Sequence, residues 1–257
     1  MAYETIQYEV SDKVAEITLD RPDERNALTG TMMTELLEAL TEADADESVG
    51  AVLLTGAGES FCSGGDLEEF QEHLDARPAE LVEEASRDLL KGLATYEKPL
   101  VGGINGDAVA GGCGLTASCH LAYAPPSAKL GTVELRIGMF PFAILPIIRR
   151  RIGDGRALEL TLTGDLISAE RASEIGLLTD VVENPVERAR ETAEQIASYS
   201  PLAVQLGLHG YQQTRNMPVD DAIDAMSAYR VPVYKSHDLN EGAKAFFEDR
   251  EPNWKGY

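Results

Sequence analysis

Two short segments of this 257-residue chain carry more glycine than packing alone asks for. The first is Phe61-Cys62-Ser63-Gly64-Gly65-Asp66-Leu67. The second is Gly106-Asp107-Ala108-Val109-Ala110-Gly111-Gly112-Cys113-Gly114. Glycine in the opening turn of a helix costs roughly 1 kcal/mol relative to alanine. Its recurrence implies either tight backbone packing on a neighbour or main-chain amides presented to a ligand. Phosphate-binding motifs fail on spacing. Gly106 and Gly111 stand as far apart as the first two glycines of a Walker A loop, but Gly112-Cys113 takes the place of Lys-Ser/Thr. Gly112-x-Gly114-x-x-Ala117 fits a dinucleotide fingerprint in form, yet the flanking strands are too close for a βαβ unit of ~30 residues. Both loops find a use together when two backbone N–H groups from different strand ends converge on one carbonyl oxygen. The second lies at a helix N-terminus, whose dipole favours developing negative charge.

Other reactive side chains form no obvious constellation. Cys62 adjoins the first loop, but no histidine lies near it in sequence, so it reads as a small buried residue rather than a nucleophile. Cys62, Cys113 and Cys119 lack a CxxC pair, which argues against a disulfide framework and a thiolate zinc site. His73, His120, His209 and His237 show no ligand spacing, so no metal is expected, and His120 reads as structural. Asp107 is either a turn residue or a spare carboxylate between the loops.

The elements that position these residues follow from hydrophobic period. Tyr3–Val10 and Lys13–Leu19 alternate around Ser11-Asp12 as a β-hairpin. Thr29 caps a helix over Thr31–Ala43, with Met33, Leu36, Leu37 and Leu40 on one face. Val49–Thr55, Leu100–Ile104 and Leu121–Ala124 are short buried strands, with Leu67–Leu74 and Ala79–Tyr96 helical between them. Alternating strands and helices predict an α/β class with largely parallel pairing. Beyond residue 140 the pattern predicts seven helices, starting with Ala143–Arg151 and Gly155–Thr163 and ending with Asn240–Asp249. Only Leu178–Val182 interrupts them as a strand.

Composition narrows the partners. Forty-four Asp and Glu face 22 Lys and Arg, a formal net charge of -22, which makes nucleic acid a poor partner. No run approaches the ~18 apolar residues of a spanning helix, and no secretion signal follows Met1, so a cytoplasmic protein without membrane contact is expected. The acid is dispersed, and seven lysines stand against fifteen arginines. That balance suggests a halophilic protein, in which molar salt shortens the Debye length to a few ångströms and makes self-repulsion tolerable. Unfolding on dilution into low salt, followed by circular dichroism, is the expected result.

Several of these residues recur in a recognisable order. They are Arg21-Pro22 then Arg25-Asn26-Ala27-Leu28, the Phe61–Leu67 loop, and Ile104-Asn105-Gly106 then Ala110-Gly111-Gly112-Cys113. Gly131 with Glu134 and Gly138, Leu162-Thr163-Gly164, Ala169 to Gly176-Leu177, and a tail containing Glu241-Gly242 and Trp254-Lys255-Gly256 come after. Together they resemble the enoyl-CoA hydratase/isomerase (crotonase) superfamily over essentially the whole chain. The resemblance implies a crotonase-like spiral of β-β-α turns over residues 1–199 and a helical trimerisation segment over 200–257. It implies a homotrimer or a homohexamer (a dimer of trimers), and an acyl-CoA substrate with coenzyme A as part of it and no separate cofactor. By position, Gly65 and Gly111 are oxyanion-hole amides and Glu134 is the proton carrier. Arg25, Ala27, Ser63, Gly64, Asp66 and Leu67 lie where the family's backbone cradles adenine and pantetheine. Gly114, Val133 and Phe142 complete the expected substrate-binding set, Phe142 within an apolar run that lines an acyl pocket or belongs to the core.

Two departures from the family pattern are informative. Hydratases of this family use two glutamates, and the first falls where Gly114 stands here. A lone Glu134 suffices to move a double bond, taking a proton from C2 of a 3-enoyl thioester and returning it at C4. Isomerisation is therefore favoured, with 2-enoyl-CoA hydration as the alternative, and a thioester hydrolase or non-catalytic member behind both. A Gly114→Glu variant that gained hydration would support the missing-partner argument. In the tail, Asp249 stands where relatives often place a lysine for the CoA 3′-phosphate, leaving Arg250, Lys244 or Lys255 to serve.

Overall fold

Alternating side chains pair β1 (Ile6–Ser11) with β2 (Val14–Leu19), and the turn falls on Asp12 and Lys13, whose φ values of 49° and 65° suit a two-residue hairpin. The computed structural model describes residues 3–74 and 79–257, with the side chains of 72–74 and 79–82 outside that description. After the hairpin come α1 (Gly30–Ala45), β3 (Ala51–Gly56), α2 (Leu67–Leu74), α3 (Ala79–Ala94), β4 (Leu100–Gly103), β5 (Ala108–Val109) and α4 (Gly111–Ser118). Next are β6 (Leu121–Ala124), β7 (Lys129–Gly131), α5 (Leu145–Thr163), β8 (Ile167–Ser168), α6 (Ala169–Glu174), β9 (Asp180–Val181) and α7 (Pro185–Ala197). Three helices close the chain: α8 (Pro201–Thr214), α9 (Val219–Tyr234) and α10 (His237–Glu248).

The main sheet has the order β1-β2-β3-β4-β6-β9, and every pairing after the hairpin is parallel. Period-two alternation divides its residues between two cores. Ile17, Leu19, Val52 and Leu54 pack with Met32, Leu36 and Leu40 of α1, while Val14, Leu53 and Val101 face Ala189, Ala193 and Ala197 of α7. Each buried leucine contributes about 1.5–3 kcal/mol. The Thr29 hydroxyl accepts from Met32 N at 3.1 Å, so α1 begins where the cap predicts. A second sheet, β5-β7-β8, stands beside the first. Its two- and three-residue strands are too short to leave a periodic signal, and none was expected from the sequence. The two helices expected over 143–163 form one element, α5, kinked at Gly153, whose φ of 79° and ψ of 164° interrupt it.

The C-terminal helices are tied back by a buried acid. Asp238 is 1% exposed. Its carboxylate accepts from the Ser200 hydroxyl at 2.7 Å and from the amides of Lys255 and Gly256 at 2.7 and 3.1 Å. Burial alone would raise its pKa, but these donors outweigh that and hold the carboxyl below the usual range. Asp238→Ala is expected to cost about 1–3 kcal/mol by urea unfolding, since it strands three donors. The contribution is present above the ordinary carboxylate range and is lost as pH falls through the depressed value.

Candidate active site

Main-chain hydrogen bonds assemble the site from segments far apart in sequence. Arg25 and Asn26 both adopt left-handed backbone, with φ of 53°, after the short turn Pro22–Glu24. The buried Asn26 side chain accepts from Arg21 N and donates to the carbonyls of Ala57 and Ser60, each at 2.9 Å, locking this turn to the strand-end loop. Leu28 N then donates to Gly64 O at 2.7 Å, Asp66 N to Leu28 O at 3.0 Å, and Ser63 N to Arg25 O at 3.0 Å. The segments that carry Arg25, Ala27, Ser63, Gly64, Asp66 and Leu67 are thereby brought together. The first loop in turn pairs with the second, with Val109 N on Cys62 O at 2.9 Å. Ala110 N reaches Gly131 O at 2.8 Å, which sets Glu134 beside α4.

Glycine is required where these loops meet. A methyl group on Gly64 would sit 2.7 Å from Ala110 Cβ, and its φ of 102° disfavours any side chain. One on Gly112 would lie 2.3 Å from Cys62 O, so the two loops touch main chain to main chain. The amides of Gly65 and Gly111 remain outside this pairing. The bridge to Leu28 uses Gly64 O and Asp66 N rather than Gly65 N. Gly111 opens α4, whose cap residue Ala110 supplies no side-chain acceptor. Ala110 itself holds φ 50° and ψ −115°, a strained conformation for a residue with a Cβ. Sequence reasoning gave Ala110 and Asn26 no role of their own beyond their place in the motif.

Glu134 begins a 3-10 turn, Glu134–Ile137, with Val133 half-buried before it. Its Oε2 is buried without a hydrogen-bond partner. Burial raises its pKa above the ordinary glutamate value, only partly offset by the amides of Glu134 and Val133. Cys113 of α4 lies close enough for the Glu134 charge to add to the burial that pushes its thiol up to about 12. Cys62 is likewise buried and pushed up to about 12, an inert thiol rather than a nucleophile. A Cβ on Gly114 would lie 2.5 Å from Ile144 Cγ2 and 2.9 Å from Ile144 Cβ. A side chain at position 114 would have to displace Ile144.

Main-chain amides and a desolvated carboxylate are the kinds of group needed to polarise a carbonyl and move a proton next to it. The enoyl-CoA hydratase/isomerase family profile matches residues 9–257. The chain belongs to this family. A protein of Thermus thermophilus is 35% identical over 246 residues, 94% of this chain and 97% of its own length. The (E)-benzylidenesuccinyl-CoA hydratase of Thauera aromatica is 34% identical over 258 residues, 98% of this chain and 99% of its own. The crystal structure of an enoyl-CoA hydratase from Bacillus anthracis superposes with a TM-score of 0.94 at 32% identity, covering 99% of this chain and 100% of that one. The α/β spiral with its C-terminal helices is thus the enoyl-CoA hydratase/isomerase fold.

Within this family member, some expected site residues have other duties. The Asp66 carboxylate caps α2 through Glu68 N and Glu69 N at 3.1 Å and pairs with Arg21 at 2.9 Å, while its main-chain N–H and C=O are used on Leu28 O and Phe70 N. Asp107 accepts from Lys129 N at 2.8 Å, a turn role. His120 Nδ1 accepts from Leu100 N at 3.0 Å, a structural contact. Phe142 is 74% exposed against Phe140, so it encloses no acyl pocket in this chain alone, whereas Ile144 of the same run is core. In the tail, Arg250 is held by both oxygens of Glu241 at 2.7 and 3.1 Å and by Glu248 at 2.6 Å. It is not free to replace the absent lysine. The side chain of His73 lies outside the described residues. No helix among the described residues is long and apolar enough to cross a membrane.

Proposed function

We propose that this enzyme shifts the double bond of 3-enoyl-CoA thioesters to the 2-position, with the thioester oxygen between the amides of Gly65 and Gly111. Glu134 removes a proton from C2, the electron pair moves onto the thioester oxygen as a dienolate, and the same carboxyl returns the proton at C4. The double bond passes from C3–C4 to C2–C3, and no atom is gained or lost. The filling of the Gly114 side by Ile144 carries this preference, because it leaves Glu134 without a companion to position water. Hydration is the second reading, favoured by the hydratase names of the Thauera and Bacillus relatives. Side-by-side assays of 3-enoyl-CoA and 2-enoyl-CoA in high salt decide between them. Faster turnover of the 3-enoyl substrate is the expected result, and faster hydration reverses the assignment.

The C-terminal helices support a homotrimer or a dimer of trimers. Phe246 and Phe247 on α10 are 81% and 85% exposed and contact each other edge to face. Val219 and Ile223 on α9 are exposed as well, and large apolar side chains left in water in this way favour an interface. Replacing both phenylalanines with aspartate is expected to shift sedimentation to smaller species. An unchanged sedimentation coefficient counts against the interface.

A further inference from the structure

A cavity of about 290 Å³ lies at the end of α4 opposite the glycine loops, walled by the last residues of α3, the first turns of α5 and the second half of α8. Eight residues of helix, roughly 12 Å at 1.5 Å each, separate it from Gly111. Its polar lining includes Arg150, Arg151, Arg215, His120, Gln212 and Tyr211, and no carboxylate lines it. This is unexpected in a chain with twice as many acids as bases. The adjoining Arg149 pairs with Asp154 at 2.6 Å. None of the three cavity arginines has an ion-pair partner among the described residues. Arg151 donates only to the carbonyls of Gly176, Cys119 and His120, and Arg215 to that of Ala94.

Two buried polar atoms of the lining residues also lack partners: Arg215 Nε, a donor, and Gln212 Oε1, an acceptor. Gln212 Nε2 is already used on Tyr96 O at 3.2 Å, which fixes the orientation of the amide. Leaving such atoms unpaired is costly. Burial and the Arg150 charge together hold the Arg215 pKa below its usual value. Burial, then Arg151 and Arg215, drive His120 down to about 4, so it stays neutral and adds no charge of its own. An anion would relieve the crowded guanidinium groups. A ligand that both accepts and donates would satisfy Arg215 and Gln212 together.

We propose that this cavity binds a small protonated oxyanion of the hydrogen-phosphate type. The P–O⁻ oxygens accept from the arginine forks, whose planar geometry matches phosphate, and the P–OH donates to Gln212 Oε1. Sulfate offers the same charge and shape without that hydroxyl at neutral pH. Isothermal titration of the whole protein with inorganic phosphate and with sulfate, at fixed ionic strength set by chloride, tests the assignment. Saturable phosphate binding is expected, about tenfold tighter than sulfate. Arg150→Gln and Arg215→Gln should each weaken phosphate binding by about tenfold or more, and Arg25→Gln in the glycine-loop region should leave it unchanged. Arg215 also bonds Ala94 O, so circular dichroism checks its fold, and the exposed Arg150 provides a variant independent of that contact. No saturable binding, equal affinity for sulfate, wild-type binding in both cavity variants, or loss in Arg25→Gln would each overturn the site.

Discussion

Glu134→Gln is expected to lower turnover of a 3-enoyl-CoA by about 10²- to 10⁴-fold, the usual contribution of a positioned acid–base group. Glutamine keeps the shape but accepts no proton. The amides of Gly65 and Gly111 stay in place, so the loss should fall on kcat far more than on KM. Burial raises the Glu134 pKa, so the acid limb of the wild-type pH–rate profile should lie above the ordinary glutamate range. Stability moves the opposite way. The folded protein holds the Glu134 proton more tightly than the unfolded chain does, so this group costs stability as pH rises from the unfolded value through the folded one. At neutral pH the glutamine variant should therefore melt at a higher temperature than wild type. Wild-type turnover in Glu134→Gln would remove the carboxylate from the mechanism.

The second large effect is a gain. Gly114→Glu alone should be destabilised by about 1–3 kcal/mol through overpacking against Ile144 and should hydrate 2-enoyl-CoA no faster than wild type. Adding Ile144→Gly opens the space, because it removes both atoms nearest to a Cβ at position 114, Ile144 Cγ2 at 2.5 Å and Cβ at 2.9 Å. The double variant should then raise the hydration rate by about 10²-fold as a second carboxylate comes to hold the water. Measuring both rates on both variants separates room from chemistry. Hydration by Gly114→Glu without the second change would show that Ile144 is no barrier. A double variant that folds and does not hydrate would dismiss the missing-companion explanation.

Much of this site was legible in sequence because its parts are local. Thr29, the alternating strands and the glycine loops each announce themselves within a few residues, and the structure keeps Arg25, Ala27, Ser63, Gly64 and Leu67 together. What escaped is long-range or short. β5 and β8 have two residues each and exist only through pairing with β7. Ile144 meets Gly114 across thirty positions, a contact that no periodicity encodes. Asp66 has the residue type of a ligand contact, and its commitment to Arg21 depends on a partner forty-five positions away. Phe142 belongs by composition to an apolar lining, yet its loop carries it to the surface.

The contact between Gly112 and Cys62 O has a consequence for how such a protein can diversify. Where main chain meets main chain at 2.3 Å from a would-be methyl, point substitution has no small steps available: any side chain breaks the joint. The joint between the two glycine loops is therefore inherited whole or lost whole. Substitution meets less resistance where side chains already face outward, as at Leu67, Phe70, Ile137, Met139 and Phe142. Selection can rework such positions while the joint between the loops stays constant.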